Sequence, residues 1–261
     1  MTRRLVSNTA LLSMLCCTLS VAEARDTWDL AGGDDHCSTT TAEMFHGMPP
    51  QIHDLEEWAG SWDVDFIRTK SDPSRSYEFR ISGPAANSVA VTLTTDSDNT
   101  MFAANSVHTD SSSKALRWSR NTVGGSAANC ARIAATGSLT SSAQYAIEFR
   151  ETTLFCPRYN NTGTQTSVLI LKNTSLDPNA PCQYYATFSD EAGTVVGSTQ
   201  DTMQAGVTRV ISLPTVTGLA GTKGSAQIGH TCGVGGISGK LVALEPATGF
   251  SFDTICLSRQ P

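Results

Sequence analysis

The segment Tyr77-Glu78-Phe79-Arg80-Ile81 places apolar side chains at its odd positions and charged side chains at its even positions. A period of two with one charged face is typical of a β-strand that is buried on one side and wet on the other, as in an antiparallel sheet. Ile147-Glu148-Phe149-Arg150 has a similar pattern, but its flanking residues differ, which argues against a duplicated domain. Both segments predict antiparallel strands.

Short runs rich in Val, Ile, Thr, Phe and Tyr follow Gly60 along the rest of the chain and are separated by Ser, Asn, Asp and Gly. No helical pattern intervenes between the runs, which favours an all-β fold, an antiparallel barrel or a sandwich, over an α/β fold. The predicted strands are Trp62–Thr69, Ser76–Ser82, Ser88–Thr95, Gln144–Thr152, Ser167–Lys172, Cys182–Ser189, Val207–Leu213, Gly239–Leu244 and a last strand from Phe250 to Leu257.

One short helix is predicted before the first strand. Ile52, Leu55 and Trp58 stand at i, i+3 and i+6 within residues 51–59, as on one face of an amphipathic helix. The preceding residues are polar and predict an extended arm that Cys37 ties down. We therefore divide the chain into a signal peptide at 1–24, a polar arm at 25–50 and a single β-rich domain at 51–261.

The N-terminal residues have the three parts of a secretory signal. Arg3 and Arg4 precede an apolar stretch from Ala10 to Val21, and the small-residue pattern Ala22-Glu23-Ala24 follows. The apolar stretch is too short to span a bilayer core of about 30 Å. We expect cleavage after Ala24 and a secreted, extracellular product.

Six of the 8 cysteines lie beyond this signal. An even number of cysteines in an exported chain predicts disulfides, here three. A zinc site is not indicated, because the chain has no Cys-x-x-Cys and no histidine at a supporting interval. The sequence does not decide the pairing among Cys37, Cys130, Cys156, Cys182, Cys232 and Cys256.

Two further features bear on the compartment and on partners. Asn160-Asn161-Thr162 and Asn173-Thr174-Ser175 are acceptor patterns for N-glycosylation, at Asn160 and Asn173. The formal net charge is −6, and no run of Lys or Arg is present. A mildly acidic surface argues against nucleic acid and anionic membranes as partners.

The segment from Leu55 to Phe66, LEEWAGSWDVDF, joins the predicted helical turn, Gly60, and a Trp that opens the first strand. This arrangement resembles the lipocalins and the wider calycin superfamily, in which Gly-x-Trp begins an up-and-down barrel after a short helix. The resemblance implies that Trp62 closes the floor of a barrel that is wide enough for one small ligand. The Thr-Asp-Tyr motif and the long C-terminal helix of the family are absent. Alternatively, Trp62 simply fills a β core.

No pattern in the chain specifies a reaction, so we expect a protein that is not an enzyme. Gly-x-Ser-x-Gly is absent, and His230 near Ser238 lacks a supporting acid. We predict a loop at Gly233-Val234-Gly235-Gly236. It is not a dinucleotide-binding fingerprint, since no helix follows it, and we expect no cofactor. Asp34-Asp35-His36 with His46 and His53 does not have metal-ligand spacing, so we expect no metal.

Two functions follow from these observations. The first is a secreted calycin-like barrel that binds a small apolar ligand, with Trp62 and Phe66 as ligand-binding residues. The second is an extracellular structural or matrix protein that acts through its surface, which the Ser/Thr/Asn-rich segment from Thr94 to Asn129 favours. A hydrolase with scattered catalytic residues is a third class, because such residues are recognised by geometry. The identity of the ligand, the oligomeric state and the use of the sequons are left open.

Overall fold

The structure, a computed structural model, describes residues 36–55, 57–58, 61–62, 64–72, 74–94, 106–109, 112–119, 130–136, 144–175 and 181–260. The predicted signal peptide lies outside these residues. Within them the chain forms β-strands and two short 3-10 helices, at Ala86–Ser88 and Leu213–Thr215. The strands are β1 (Glu43–Met44), β2 (Gln51–Asp54), β3 (Glu57–Trp58), β4 (Ser61–Trp62), β5 (Val64–Thr69), β6 (Tyr77–Ser82), β7 (Val89–Thr94), β8 (Ser106–Thr109), β9 (Ser113–Trp118), β10 (Cys130–Ala135), β11 (Gln144–Glu151), β12 (Leu154–Asn160), β13 (Thr166–Asn173), β14 (Cys182–Asp190), β15 (Val195–Met203), β16 (Thr208–Ser212), β17 (Lys223–His230), β18 (Ile237–Glu245) and β19 (Phe250–Ser258).

Two sheets form the first part of the fold. One has the strand order β1-β5-β10-β7 and the other the order β2-β11-β6-β9-β8. Alternate side chains of both sheets meet in one hydrophobic cluster, which includes Ile67 and Leu93 from the first sheet and Phe79 and Phe149 from the second. The first part is therefore a sandwich, and the two segments with similar alternation are its neighbouring strands β6 and β11, in which Phe79 lies opposite Phe149.

The predicted helix at 51–59 is wrong. Gln51–Asp54 forms β2, which pairs antiparallel with β11, and Glu57–Trp58 forms β3. Gln51 and His53 are buried whereas Ile52 is 54% exposed, so the burial period is two. The backbone N–H and C=O groups at the edge of β11 form hydrogen bonds with this short segment. These bonds stabilise a strand more than the spacing of the apolar residues stabilises a helix.

The strands β12 to β19 form the second part, one antiparallel sheet of eight strands that curls into a nearly closed barrel. Its order is β15-β14-β17-β12-β19-β18-β13-β16. The outermost strands, β15 and β16, are connected by a short turn, and Arg209 Nε lies 3.1 Å from the Asp201 carboxylate across them. The all-β prediction is thus confirmed, with a barrel and a sandwich in the same chain.

The order of the barrel strands differs from that of an up-and-down barrel, in which each strand pairs with its neighbours in the chain. Only β14 with β15, and β18 with β19, are both consecutive and paired. Trp62, which the resemblance places at the barrel floor, lies in β4 and pairs through its backbone with β3, before the barrel begins. The prediction of an antiparallel barrel is confirmed, with eight strands, but the Gly-x-Trp segment is not its first strand.

The three predicted disulfides are confirmed, and the structure supplies their pairing. Cys37 is bonded to Cys130, Cys156 to Cys256 and Cys182 to Cys232. The first closes a loop in the sandwich, where Cys37 anchors the described end of the arm, and the other two lie in the barrel. Three disulfides fit an extracellular protein, because reducing compartments do not maintain them.

Among the described residues, no helix has the length and hydropathy needed to span a membrane.

Polar contacts connect the sandwich to the barrel. Gln227 of β17 donates from Nε2 to the carbonyl oxygen of Ser74 at 2.8 Å. The backbone N–H of Val234 donates to the Glu78 carboxylate at 3.2 Å, and Arg117 Nε donates to the same carboxylate at 2.7 Å. Each part has its own hydrophobic cluster, and the single domain predicted for 51–261 stays a prediction.

Candidate functional site

A cleft opens in the barrel wall where β12 and β19 separate. The two strands pair at Leu154 with Ser258 and at Phe155 with Leu257, and their pairing goes no further. The register of β12 against β17 then shifts between Cys156 and Tyr159. Pro157 lies inside this bulge, where its missing N–H costs no ladder hydrogen bond. The earlier residues of β19 therefore have β18 on one side and the cleft on the other.

The cleft has a volume of about 190 Å³ and is mostly apolar. Phe250 and Phe252 project from the same face of β19, because side chains at i and i+2 share a face of a strand. They are 66% and 54% exposed, which is unusual for phenylalanine. The lining consists of Tyr159, Leu241, Ala243, Leu244, Phe250, Phe252 and Thr254, with Arg158, Asn160, Gln165 and Glu245 as polar residues.

The polar residues of the cleft differ in their hydrogen bonds and ion pairs. Glu245 accepts hydrogen bonds from the Thr164 hydroxyl at 2.9 Å and from the Ala247 N–H at 3.2 Å. Asn160 Nδ2 donates to Gln165 Oε1. Arg158 makes no ion pair with any residue that the structure describes. A charged donor is thus left available beside the aromatic walls.

Below the cleft, side chains fill the barrel. The Tyr159 ring meets the Phe188 ring edge-on, with centroids 5.8 Å apart, and its hydroxyl lies 3.2 Å from Thr222 Oγ1. Leu169, Leu171 and other buried residues complete this cluster. The site is therefore a cleft at the surface of a packed barrel and not a deep central cavity.

The structure does not bring the two predicted ligand-binding residues to this cleft. Phe66 lies on β5 in the sandwich and packs against the Cys37–Cys130 disulfide, where it is 5% exposed. The backbone of Trp62 belongs to β4, and its side chain lies outside the described residues. The apolar residues of the cleft come instead from the last two strands and from β12.

A second, polar cleft lies between the sandwich and the barrel. Arg75 Nη1 lies 3.0 Å from both carboxylate oxygens of Glu151, whose side chain is almost completely buried. Arg259 Nη1 approaches the same carboxylate at 3.6 Å, and the Glu151 N–H donates to His46 Nδ1 at 3.1 Å. Arg75 lies before β6, so its close ion pair with Glu151 is within the sandwich, and only the longer contact with Arg259 reaches the barrel. A carboxylate held by two guanidinium groups is a structural ion pair more than a reactive acid.

His230 is buried and hydrogen-bonded to the backbone. Its Nδ1 accepts a hydrogen bond from the Cys232 N–H at 3.3 Å. Burial lowers the pKa of the imidazole from 6.5 to about 4; a hydrogen bond with the Thr152 backbone raises it, and the Arg117 guanidinium lowers it further. A neutral, enclosed imidazole of this kind stabilises the junction between the two parts.

The remaining candidate residues are dispersed. Within the described ranges, no three or more His, Cys, Asp or Glu side chains are grouped to hold a metal ion. Asn160 is partly exposed, whereas Asn173 is fully buried, donates from Nδ2 to the Met203 carbonyl oxygen at 3.1 Å and accepts from the Ser175 N–H at 3.0 Å. The use of both sequons stays a prediction.

The cleft was not found from the sequence, although two local signals point to it. Phe250 and Phe252 alternate with polar residues in the predicted last strand, and Pro157 interrupts a run that otherwise has strand character. Their contact depends on the pairing of strands that are about a hundred residues apart, as the separation of 100 between Cys156 and Cys256 shows.

No family model matches the chain, and neither a curated protein nor a solved structure matches it.

Proposed function

We propose that the chain is a secreted, non-enzymatic binding protein that takes a small apolar ligand in the cleft between β12 and β19. The observation that carries this proposal is the exposure of Phe250 and Phe252 at a concave site. Exposed aromatic residues beside a pocket with few polar groups are typical of ligand sites. The three disulfides support the secreted part of the proposal.

The size of the cleft limits the ligand. A dry cavity of about 150 Å³ lined by Leu, Ile and Phe binds benzene. The cleft, with about 190 Å³, therefore accommodates a group the size of one aromatic ring or a short alkyl chain. Arg158 at the rim supplies a charged donor that can orient a polar end of the ligand. The eight antiparallel strands support a calycin-like barrel as the kind of fold, with a strand order that departs from the up-and-down order of that family.

A titration with the neutral fluorophore N-phenyl-1-naphthylamine tests the proposal, because its phenyl ring has the size that the cleft accommodates while its naphthyl group can lie at the open rim. We expect one saturable site in the folded, disulfide-bonded protein. Phe252→Ser should weaken binding at least about tenfold, because a large part of the apolar wall is removed. Val210→Ser is the control, since Val210 is also exposed, at 66% against 54% for Phe252, but lies on the outer face of β16. Equal weakening by both variants, or no saturable binding, would contradict the proposal.

A second function, that of an extracellular structural or matrix protein, is favoured by the outer face of the barrel. Val210 lies opposite Ile170, Ile170 opposite Lys240 and Lys240 opposite Ile255, so one row crosses four strands. Val210 and Ile255 are each 66% exposed. Sedimentation velocity over a range of concentrations, and retention on immobilised matrix polymers, test this function. Self-association that Ile255→Asp removes would support it, and monomers without retention would exclude it.

A further inference from the structure

We infer that the apolar group bound in the cleft is a side chain of an extended polypeptide, which adds a strand to the free edge of β19. The inference rests on the proposed function, because it uses the same cleft. It assigns the class of the ligand, a peptide segment with apolar side chains at alternate positions, and the manner of binding, through the main chain as well as the side chains.

The backbone of β19 supplies the first part of the argument. Residues 250–256 pair with β18 along one edge. On the other edge, pairing with β12 includes only Leu257 and Ser258, and no described strand pairs with residues 250–255. An edge of this length presents a row of N–H and C=O groups that another strand can use. Peptide recognition by strand addition takes its affinity from such groups.

The neighbouring strand is held in a position that keeps this edge open. The Asn160 N–H donates to Ser167 Oγ at 2.8 Å, and the Ser167 hydroxyl donates back to the Asn160 carbonyl oxygen at 2.8 Å. These two bonds tie the end of β12 to the start of β13, beyond the point where the pairing of β12 with β19 stops. Pro157 cannot donate a hydrogen bond to the edge of β19 at all. The gap in the wall is therefore built into the barrel.

The side chains at the edge supply the specificity. Phe250 and Phe252 are one strand period apart, so their rings can flank every second side chain of a peptide alongside β19. The cleft of about 190 Å³ holds one such side chain, while the rest of the peptide lies along the surface. A free small molecule would fill the cleft but would leave the backbone groups of residues 250–255 to water.

The experiment uses the full disulfide-bonded protein and the peptide Thr-Val-Thr-Phe-Thr-Val-Thr-NH2 with fluorescein on its N-terminal amine, with binding followed by fluorescence polarisation. Two further peptides carry N-methyl groups on either the odd or the even residues. Only one set of amides in a strand faces β19. We expect one N-methylated peptide to lose about tenfold or more in affinity, since several main-chain hydrogen bonds are lost, and the other to bind like the parent.

Hydrogen exchange provides a second measurement. The bound parent peptide should slow exchange of the amides in residues 250–255, and Phe252→Ser should weaken its binding while Val210→Ser does not. Binding of the fluorophore without binding of the peptide would overturn this inference and leave the proposed function standing. Equal binding of all three peptides would also overturn it, because side chains alone would then account for the affinity. Failure of both the fluorophore and the peptide would overturn both proposals.

Discussion

Cys156 and Cys256 face each other on β12 and β19, with Cα atoms 4.1 Å apart, at the point where these two strands begin to separate. The disulfide thus fixes one end of the cleft. Replacing both residues with alanine should lower the free energy of unfolding by about 3 kcal/mol, because the unfolded chain loses a constraint on a long loop. Urea denaturation measures this change, and fluorophore binding should weaken as the strands move apart.

The Cys37–Cys130 disulfide provides the control for this prediction. It closes a loop of similar length, with a sequence separation of 93, but lies in the sandwich. Its removal should cost a similar free energy while the affinity for the fluorophore stays unchanged. Equal losses of affinity in the two double variants would show that the Cys156–Cys256 bond does not shape the cleft.

His230 should make the protein less stable in acid. Its pKa is about 4 in the folded protein and 6.5 when the imidazole is unperturbed, so the unfolded chain binds more protons between these values. Stability should be fully present above about pH 7 and should fall as the pH decreases through 6.5 toward 4, by roughly 3 kcal/mol from this residue. Chemical denaturation at several pH values measures the slope.

His230→Gln separates this effect from the titration of carboxylates. The variant should be less stable at neutral pH, but the slope of its unfolding free energy between pH 6.5 and 4.5 should be smaller than that of the wild type. Identical slopes in the two proteins would mean that His230 is not held neutral by burial.

Glu151 should stabilise the sandwich through its buried ion pair with Arg75. We expect the wild type to unfold in one calorimetric transition, as the single domain predicted for 51–261 requires. Glu151→Ala removes the buried partner of Arg75 and should destabilise the protein by about 3 kcal/mol. Because this ion pair lies within the sandwich, the sandwich should then unfold before the barrel, in a separate transition at lower temperature.

The exposed pair of Glu191 with Lys223 is the comparison for Glu151. Their charged atoms lie 2.8 Å apart, but both side chains are largely in solvent. Glu191→Ala should change stability by less than about 0.5 kcal/mol and leave a single transition. A wild type that already shows two transitions would refute the single-domain prediction.

Asn173 should carry no glycan in the folded protein. The Asn173 side chain is fully buried, and its Nδ2 donates to the Met203 carbonyl oxygen, so a chain modified there would lose this bond and could not pack. Glycopeptide mass spectrometry of protein secreted from eukaryotic cells checks both sites. A substantial fraction of folded protein with a glycan on Asn173 would contradict this geometry.

The strands with clear alternation or continuous apolar runs could be predicted from the sequence. Ser167–Lys172 falls within β13, and the last predicted strand, from Phe250 to Leu257, falls within β19. In each of them, the alternation of apolar and polar side chains, or the high content of β-branched residues, is visible within a few residues. Such information is local, so it does not require knowledge of the neighbouring strands.

Other strands were missed because their sequences resemble loops. β17 contains Gly224 and Gly229 and few apolar residues, yet it lies in the barrel between β14 and β12. A Cβ atom on Gly224 would come within 1.9 Å of the Ser189 carbonyl oxygen, so a close approach of two strands requires glycine there. Glycine in a strand is rare enough that it indicates a loop when the neighbouring strand is unknown.

The candidate site was less predictable than the fold. The Gly-x-Trp segment predicted Trp62 and Phe66, in the sandwich part of the chain, as ligand-binding residues. The cleft is made instead by Phe250, Phe252 and Arg158 in the barrel. The alternation of Phe250 and Phe252 with polar residues predicts their strand but not the strand that lies beside it. Their meeting follows from the pairing of β12 with β17 and β19, which no local pattern encodes.

The order of the barrel strands also has a consequence for the time course of biosynthesis. Every described strand of the sandwich lies before Thr152, so this part can fold while later residues are still being synthesised. The first barrel strand, β12, must wait for β17 and β19, which are the sixth and eighth strands of the barrel to be made. Such non-local pairing is slow to form. A nascent chain therefore carries a finished sandwich and an unpaired β12 through most of the synthesis of the barrel, and chaperones that bind exposed strands have the longest access to this segment.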